Sequence, residues 1–260
     1  MSWIISVANE KGGVAKTTST LSLSGALVEM GYRVLVIDLD PQANLTLSLS
    51  EDESNHARSL IDLLVNNIPF EEAIKTTSLE RLFLLPSNNQ LGLAERLLPP
   101  RPNYNLLLKN LLDIQKSAFD FILIDCPPFL GAITTNALMA SDLLILPTQA
   151  EYYSVFALRN MMALIRQIRT TGNPKLKYRL LITMFDKRNR IHCSLAEHLR
   201  TTFSTGVFDS VIEVDTKLRE SSMAGQSIIY HSPKSRSALQ YRFLAQEIIH
   251  YVEEKCQQPA

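Results

Sequence analysis

Short apolar runs alternate with amphipathic stretches along this chain, and that alternation limits its fold before any motif is considered. Trp3-Ile4-Ile5-Ser6-Val7-Ala8, Val34–Ile37, Phe121–Ile124 and Leu143–Thr148 are almost continuously apolar, as strands covered on both faces are. Tyr178–Phe185 reads as a further strand, and Ser210–Val214 as a shorter one. Between them lie helical patterns: Thr18–Met30 with Leu21, Leu23, Leu27 and Val28, closed by Gly31 as a C-cap, then Asn105–Lys116. Helices are also expected over Tyr153–Thr170, 194–203, 216–224 and from Lys234 to about Glu254. The stretch 51–100 is the least regular. It suggests a helix over Ser59–Val65, a strand at Leu82–Leu85 and a short helix at Gln90–Leu97 that stops before Pro99-Pro100. Repeated strand–helix alternation predicts an α/β fold with a predominantly parallel sheet and helices on both faces. No repeat, low-complexity tract or linker interrupts it, so residues 1–260 are expected to form one domain.

Composition narrows the class. The chain has 260 residues, 46% of them hydrophobic, enough for a substantial core. Its longest apolar run falls short of the ~18 residues that a membrane span needs. The first strand starts almost at Met1, with no basic stretch and apolar signal region before it, which predicts cytoplasmic residence. Cys126, Cys193 and Cys256 form no CxxC pair and suggest neither a disulfide framework nor a zinc site. Net charge is zero, yet residues 1–150 hold 10 Lys and Arg against 16 Asp and Glu, and residues 151–260 hold 16 against 10. The C-terminal part is therefore basic by 6, an asymmetry suited to a polyanion partner.

The strongest chemical signal is Asn9-Glu10-Lys11-Gly12-Gly13-Val14-Ala15-Lys16-Thr17-Thr18. It joins the first strand to the first helix. In that setting backbone N–H groups and the positive helix end cradle phosphates, Lys16 reaches the terminal phosphates, and Thr17 can ligate Mg²⁺. Position 10 is Glu where an ordinary P-loop has Gly, and a second lysine, Lys11, opens the loop. Two acids, Asp38 and Asp40, follow the second strand in Asp38-Leu39-Asp40-Pro41-Gln42-Ala43-Asn44. In open α/β sheets ligands bind at that end of the strands. Phe121-Ile122-Leu123-Ile124-Asp125 has the Walker B pattern, an apolar strand ending in a carboxylate that helps hold Mg²⁺ through its water shell. Cys126 reads as a small buried residue.

Lys11–Thr18, Asp38–Asn44 and Phe121–Pro128 stand in the order and spacing of ParA-type partition ATPases. The loop resembles the deviant Walker A loop of the ParA/MinD superfamily, which implies a P-loop NTPase fold. Val214–Ser221 and Gly225-Gln226-Ser227-Ile228 resemble that family's late segment, with Lys217 in place of an arginine and Ser221-Ser222 in place of Ala-Pro. The resemblance implies ATP and Mg²⁺ as ligands, bound along Lys11, Gly12, Gly13, Val14, Ala15, Lys16, Thr17 and Thr18. It implies that Thr17, Asp38 and Asp125 serve the metal and that Asp40 positions the attacking water. Lys11 would reach the partner's nucleotide across an ATP-dependent homodimer. Ala15 stands where the family usually has Gly; at a helix entry it is expected to take a helical φ.

The same resemblance implies sequence-independent binding of duplex DNA, with Arg188, Lys217 and Arg236 as the matching cations and Arg190, Arg219 and Lys234 beside them. A ParB-like protein or cargo adaptor would stimulate a slow hydrolysis, and the protein would associate with the nucleoid. A MinD-like membrane-cycling ATPase is the alternative. It needs a basic amphipathic C-terminal helix, whereas the last helix here ends Glu253-Glu254-Lys255-Cys256-Gln257-Gln258, and no membrane partner is expected. A nitrogenase-reductase-like iron–sulfur protein would need paired cysteine ligands, and Cys126 and Cys193 make no convincing pair.

Overall fold

In the computed structural model, residues 2–50, 58–66 and 68–257 are described. Strands β1 (Trp3–Val7), β2 (Val34–Asp38), β3 (Lys75–Thr76), β4 (Leu82–Leu85), β5 (Phe121–Asp125), β6 (Leu143–Gln149), β7 (Lys177–Phe185) and β8 (Val207–Glu213) form one sheet. Its order is β3-β4-β2-β5-β1-β6-β7-β8. Every pairing is parallel except the short β3–β4 edge, which is antiparallel. Before β5 come helices α1 (Lys16–Glu29), α2 (Asn44–Leu49), α3 (Leu60–Asn66), α4 (Phe70–Ala73), α5 (Ala94–Leu97) and α6 (Leu107–Gln115). After it come α7 (Ala132–Ala140), α8 (Tyr152–Thr171), α9 (Arg190–Phe203), α10 (Thr216–Met223), α11 (Ile228–His231) and α12 (Arg236–Gln257).

Alternation along the strands divides the core between two faces. Ile4, Leu35, Ile37, Ile122 and Ile124 point to one face, where α6, α7 and α8 cover them. Ile5, Val7, Val34, Val36 and Leu123 point to the other, under α1 and α12. Burying one such side chain contributes about 1.5–3 kcal/mol, so each face alone holds far more than a domain's net stability, before chain entropy is subtracted. Of the apolar face of the last helix (Phe243, Leu244, Ile248, Ile249 and Val252), Leu244 and Ile248 are buried on this second face with Tyr241, Ile249 and Val252 pack partly buried against it, and Phe243 is exposed. The Tyr241 hydroxyl lies 3.0 Å from Ser19 of α1. All of the face but Phe243 is thus core packing. No described helix is long and apolar enough to cross a membrane. The side chain of Cys256 and residue Gln258 lie outside the described residues.

What positions the site is the register. Asp125 is level with Val7 on one side and with Asp38 on the other, so β1, β5 and β2 end together. The phosphate-loop sequence leaves the first of these ends, and the two acids stand on the other two. Four of the described helices, α2, α4, α7 and α11, lie where the sequence pattern predicts none. In α7, Ala132, Ile133, Thr134, Asn136, Ala137, Leu138, Met139 and Ala140 are all buried, so no polar stripe marks its period. The six residues of α2 are too few to show a period at all.

Candidate nucleotide site

The loop after β1 is held from both sides. Asn9 donates through its amide to the Pro147 carbonyl (2.8 Å) and accepts from the Lys11 N–H (3.0 Å), fixing the turn out of the strand. Thr183 of β7 donates to the Val14 carbonyl at 3.1 Å. Gly13 and Ala15 both adopt left-handed backbone, with φ of 72° and 67°. Such left-handed turns curl successive N–H groups toward a common anion-binding point. Helical φ was expected at Ala15, and the structure overturns that expectation. Ala15 is the N-cap of α1, its carbonyl accepts from Ser19 (2.9 Å), and the loop has to turn left-handed to bring the helix entry round. A non-glycine residue there costs about 1–2 kcal/mol in backbone strain. The helix consequently begins at Lys16, two residues earlier than its apolar spacing suggested.

Lys16 is 7% exposed, and its Nζ donates to the Lys11 carbonyl at 3.2 Å. Burial pushes its pKa down, while the charge of Asp125 pulls the other way. Thr17 donates its hydroxyl to Asp125 at 2.6 Å. Asp38 accepts from the Asp40 N–H (3.0 Å) and from both the N–H and the hydroxyl of Thr46 (2.9 and 2.8 Å). Burial pushes Asp38 up to about 6 against those hydrogen bonds. Burial, and next the charge of Asp38, push Asp125 well above the carboxylate range. Asp40 is half-buried at the mouth, where its side chain accepts from the Gln42 N–H (2.9 Å), so it closes its own turn while facing the site.

These residues suit Mg²⁺. The donors are all oxygen, as a hard cation requires, and two mutually repelling buried acids gain from a divalent charge. Among the described residues no three His, Cys, Asp or Glu side chains converge into a self-contained metal site. A hydroxyl, a carboxylate, water and substrate phosphates make the usual Mg²⁺ set in phosphoryl transfer, and such a set does not need one. Thr17 and Asp125, bonded to each other at the end of the loop, are the residues that would hold the ion, and Asp38, engaged by Asp40 and Thr46, would support its water shell.

Beside the loop a cavity of about 270 Å³ opens between Ala15, Thr18, Met184, Val214 and Leu218. It stands next to the phosphate loop, and Glu213, Asp215, Arg219 and Ser222 also line it.

Comparison with known proteins fits this arrangement. The AAA domain family (AAA_31) matches residues 2–178. The sporulation initiation inhibitor protein Soj of Bacillus subtilis is 36% identical over 95% of this chain and 98% of its own. The chromosome partitioning protein ParA of Myxococcus xanthus is 34% identical over 95% of this chain and 87% of its own. The chain belongs to the ParA/MinD superfamily of P-loop ATPases. A crystal structure of cobyrinic acid a,c-diamide synthase from Mycobacterium smegmatis, with bound ADP and magnesium, superposes with a TM-score of 0.86. It is 31% identical and covers 100% of this chain and 99% of that one.

Within this ParA-like frame, Lys11 does not face its own phosphate loop. Its Nζ donates to Gln149 (2.7 Å), Glu151 (2.7 Å) and Ser154 (3.4 Å) at the start of α8. Gln149 also donates to the Gly13 carbonyl at 3.3 Å, and Glu10 accepts from Asn160 of α8 at 2.7 Å. The opening of the loop is therefore tied to α8. None of these partners was identified from the sequence. Gln149 ends β6, which runs beside β1 and continues four residues past Ile145, the residue level with Val7. Thr46 had no signal, because α2 itself was missed.

The structure gathers Arg188, Lys217 and Arg236 at the C-terminal ends of β7 and β8. Each is already paired there. Arg188 forks onto Asp186 with two 3.0 Å bonds, Lys217 meets Glu220 at 2.7 Å, and Arg236 meets Glu213 at 2.9 Å. Lys187 also approaches Glu213, at 3.9 Å. Cys126 is buried as read from the sequence, and burial pushes its thiol pKa up. Cys193 is exposed on α9.

Proposed function

We propose that this chain is a Mg²⁺-dependent ATP hydrolase of the ParA type, cycling between an ATP-bound homodimer that holds duplex DNA and a released form. The observation that carries the reading is the buried Lys16 beside Asp125, at the end of a loop with two left-handed residues. Lys16 and the loop N–H groups would bind the β- and γ-phosphates, and the base would enter the cavity beside Ala15. Mg²⁺, when bound, neutralises charge on the transferring phosphoryl group. Thr17 and Asp125 would hold it, and Asp40 would orient the water that attacks the γ-phosphorus to give ADP and phosphate.

Lys11 would leave Gln149 and Glu151 on dimerisation and neutralise phosphate charge in the partner. In the ATP-bound dimer, Arg188, Lys217 and Arg236 would exchange their acidic partners for DNA phosphates. A ParB-like protein or cargo adaptor would then accelerate hydrolysis and release, and the DNA-bound form would sit on the nucleoid in the cytoplasm. Light scattering and DNA co-sedimentation, each with ATP, ADP and no nucleotide, test the cycle. A dimer and DNA binding are expected only with ATP, and both should be lost in Lys11→Ala. A Lys11→Ala chain that dimerises as readily as wild type, or an ATP form that pellets with anionic vesicles and not with DNA, would contradict the proposal.

A further inference from the structure

The segment from Ser87 to Leu97 lies between the two acidic loops and bonds to both. Ser87 donates its hydroxyl to the Asp40 carbonyl (2.7 Å) and its N–H to Thr46 (2.9 Å), the same threonine that donates to Asp38. Gly92 packs against Pro41, whose ring a Cβ at Gly92 would meet at 3.8 Å. At its far end the segment reaches the loop that follows Asp125. Both carboxylate oxygens of Glu95 accept from the first N–H groups of α7, Ala132 at 2.6 Å and Ile133 at 3.1 Å.

Helix α7 has no cap of its own, because its N-cap residue is Gly131. The first N–H groups of a helix otherwise lack partners, and a carboxylate there gains from both charge-assisted bonds and the helix dipole. Here the carboxylate comes from 37 residues away. Gly131 makes room for it. Its φ of −99° is open to any residue, but a Cβ would lie 2.1 Å from a Glu95 oxygen and 2.4 Å from the Phe129 ring. Glycine at 131 is therefore explained by the carboxylate and the Phe129 ring that it admits, and not by its backbone.

We infer that Glu95 is a positioning residue for hydrolysis: by anchoring the loop 126–131 to the segment that also holds Asp40, it sets the spacing between the water-orienting acid and the Asp125 loop. The inference rests on the ATP hydrolase reading above. An ordinary helix cap would contribute stability alone. A positioning residue must also change turnover at unchanged nucleotide affinity, since a displacement of about 1 Å can slow a reaction by roughly 10²-fold.

The test compares full-length wild type, Glu95→Gln, Glu95→Ala, Gly131→Ala and the Glu95→Ala/Gly131→Ala pair. Readouts are MgATP affinity, phosphate release at saturating MgATP, and amide exchange without nucleotide. In Glu95→Gln the affinity should stay within about threefold, kcat should fall roughly 10- to 100-fold, and exchange should rise only around residues 126–133. Gly131→Ala alone should lose kcat similarly. In the Glu95→Ala background it should cost little more, because the added methyl no longer meets the carboxylate and the exposed Phe129 ring can turn aside into the space left. A folded Glu95→Gln with kcat within twofold of wild type overturns the inference whatever its exchange, and so do additive losses in the double variant. Wild type that binds MgATP but releases no phosphate would defeat the hydrolase reading separately. The exchange arm then decides the anchoring: faster exchange confined to 126–133 supports it, and unchanged exchange overturns it.

Discussion

The two charged regions of this molecule handle their acids in opposite ways. At the ends of β2 and β5, Asp38 and Asp125 are buried and close to each other, and both are pushed upward, Asp38 to about 6. At the ends of β7 and β8 the acids are paired with exposed cations, and the Arg188 guanidinium holds Asp186 down to about 2. In the first region burial disfavours the charged forms of both acids, with Lys16 the cation beside Asp125, and a divalent ion would favour their ionisation. The second is locally neutral, and a polyanion can bind there only by displacing acids from the cations. The difference is one of preorganisation. The phosphate loop is set for its ligand before the ligand arrives, while the cationic edge has to exchange partners first.

The comparison breaks most sharply at Lys16. In Lys16→Ala, MgATP binding should weaken by roughly 10²- to 10³-fold, the scale of removing one partner from a buried ion pair. Loss of the ATP-induced thermal shift would report it, and a normal shift would remove Lys16 from the site. A smaller effect should appear with pH in the nucleotide-free chain. Because the folded pKa of Asp38 lies above its unfolded value, its contribution to stability is present below about pH 4 and is lost as pH rises through about 6. Melting wild type against Asp38→Asn across that range should show wild type losing ground as pH rises. Parallel curves would mean that the acid is not held neutral.

At the cationic edge the expected effects are smaller still. Replacing Arg188, Lys217 or Arg236 by alanine should flatten the salt dependence of DNA binding by the ATP dimer by roughly 2 units of log–log slope, one contact per subunit at ~0.9 each. Three unchanged slopes would leave the basic asymmetry of the C-terminal part without a role in DNA binding. The smallest effect belongs to Ala15→Gly. Relief of ~1–2 kcal/mol of left-handed strain, less glycine's entropic cost of ~0.5–1 kcal/mol, should stabilise the empty chain by no more than about 1.5 kcal/mol. Destabilisation measured by denaturant titration would show that the strain is not there.

The same two regions differ in how far the sequence reveals them. Lys16, Thr17, Asp38, Asp40 and Asp125 are legible because each sits at a strand end or helix start that apolar patterning marks. Register then brings the strand ends level. The parallel sheet is legible for the same reason, apart from the two-residue edge β3. What stays hidden depends on contacts far apart in sequence. Glu95 capping α7, Glu151 holding Lys11 and Thr46 bonding Asp38 are invisible to periodicity. The left-handed Ala15 is hidden too, because a helix entry ordinarily imposes no such turn. Arg188, Lys217 and Arg236 are legible as cations, but the acids that neutralise them emerge only when the strand ends are assembled.

The central claim is that the loop end binds MgATP and hydrolyses it with Asp40 orienting the water. Phosphate release measured beside MgATP affinity, for wild type and Asp40→Ala, tests it most directly. Wild type should release phosphate slowly but measurably, and Asp40→Ala should bind with an affinity within a few-fold while turning over at least ~10²-fold more slowly. Equal turnover by the two proteins, or tight MgATP binding by wild type with no phosphate released, would contradict the account.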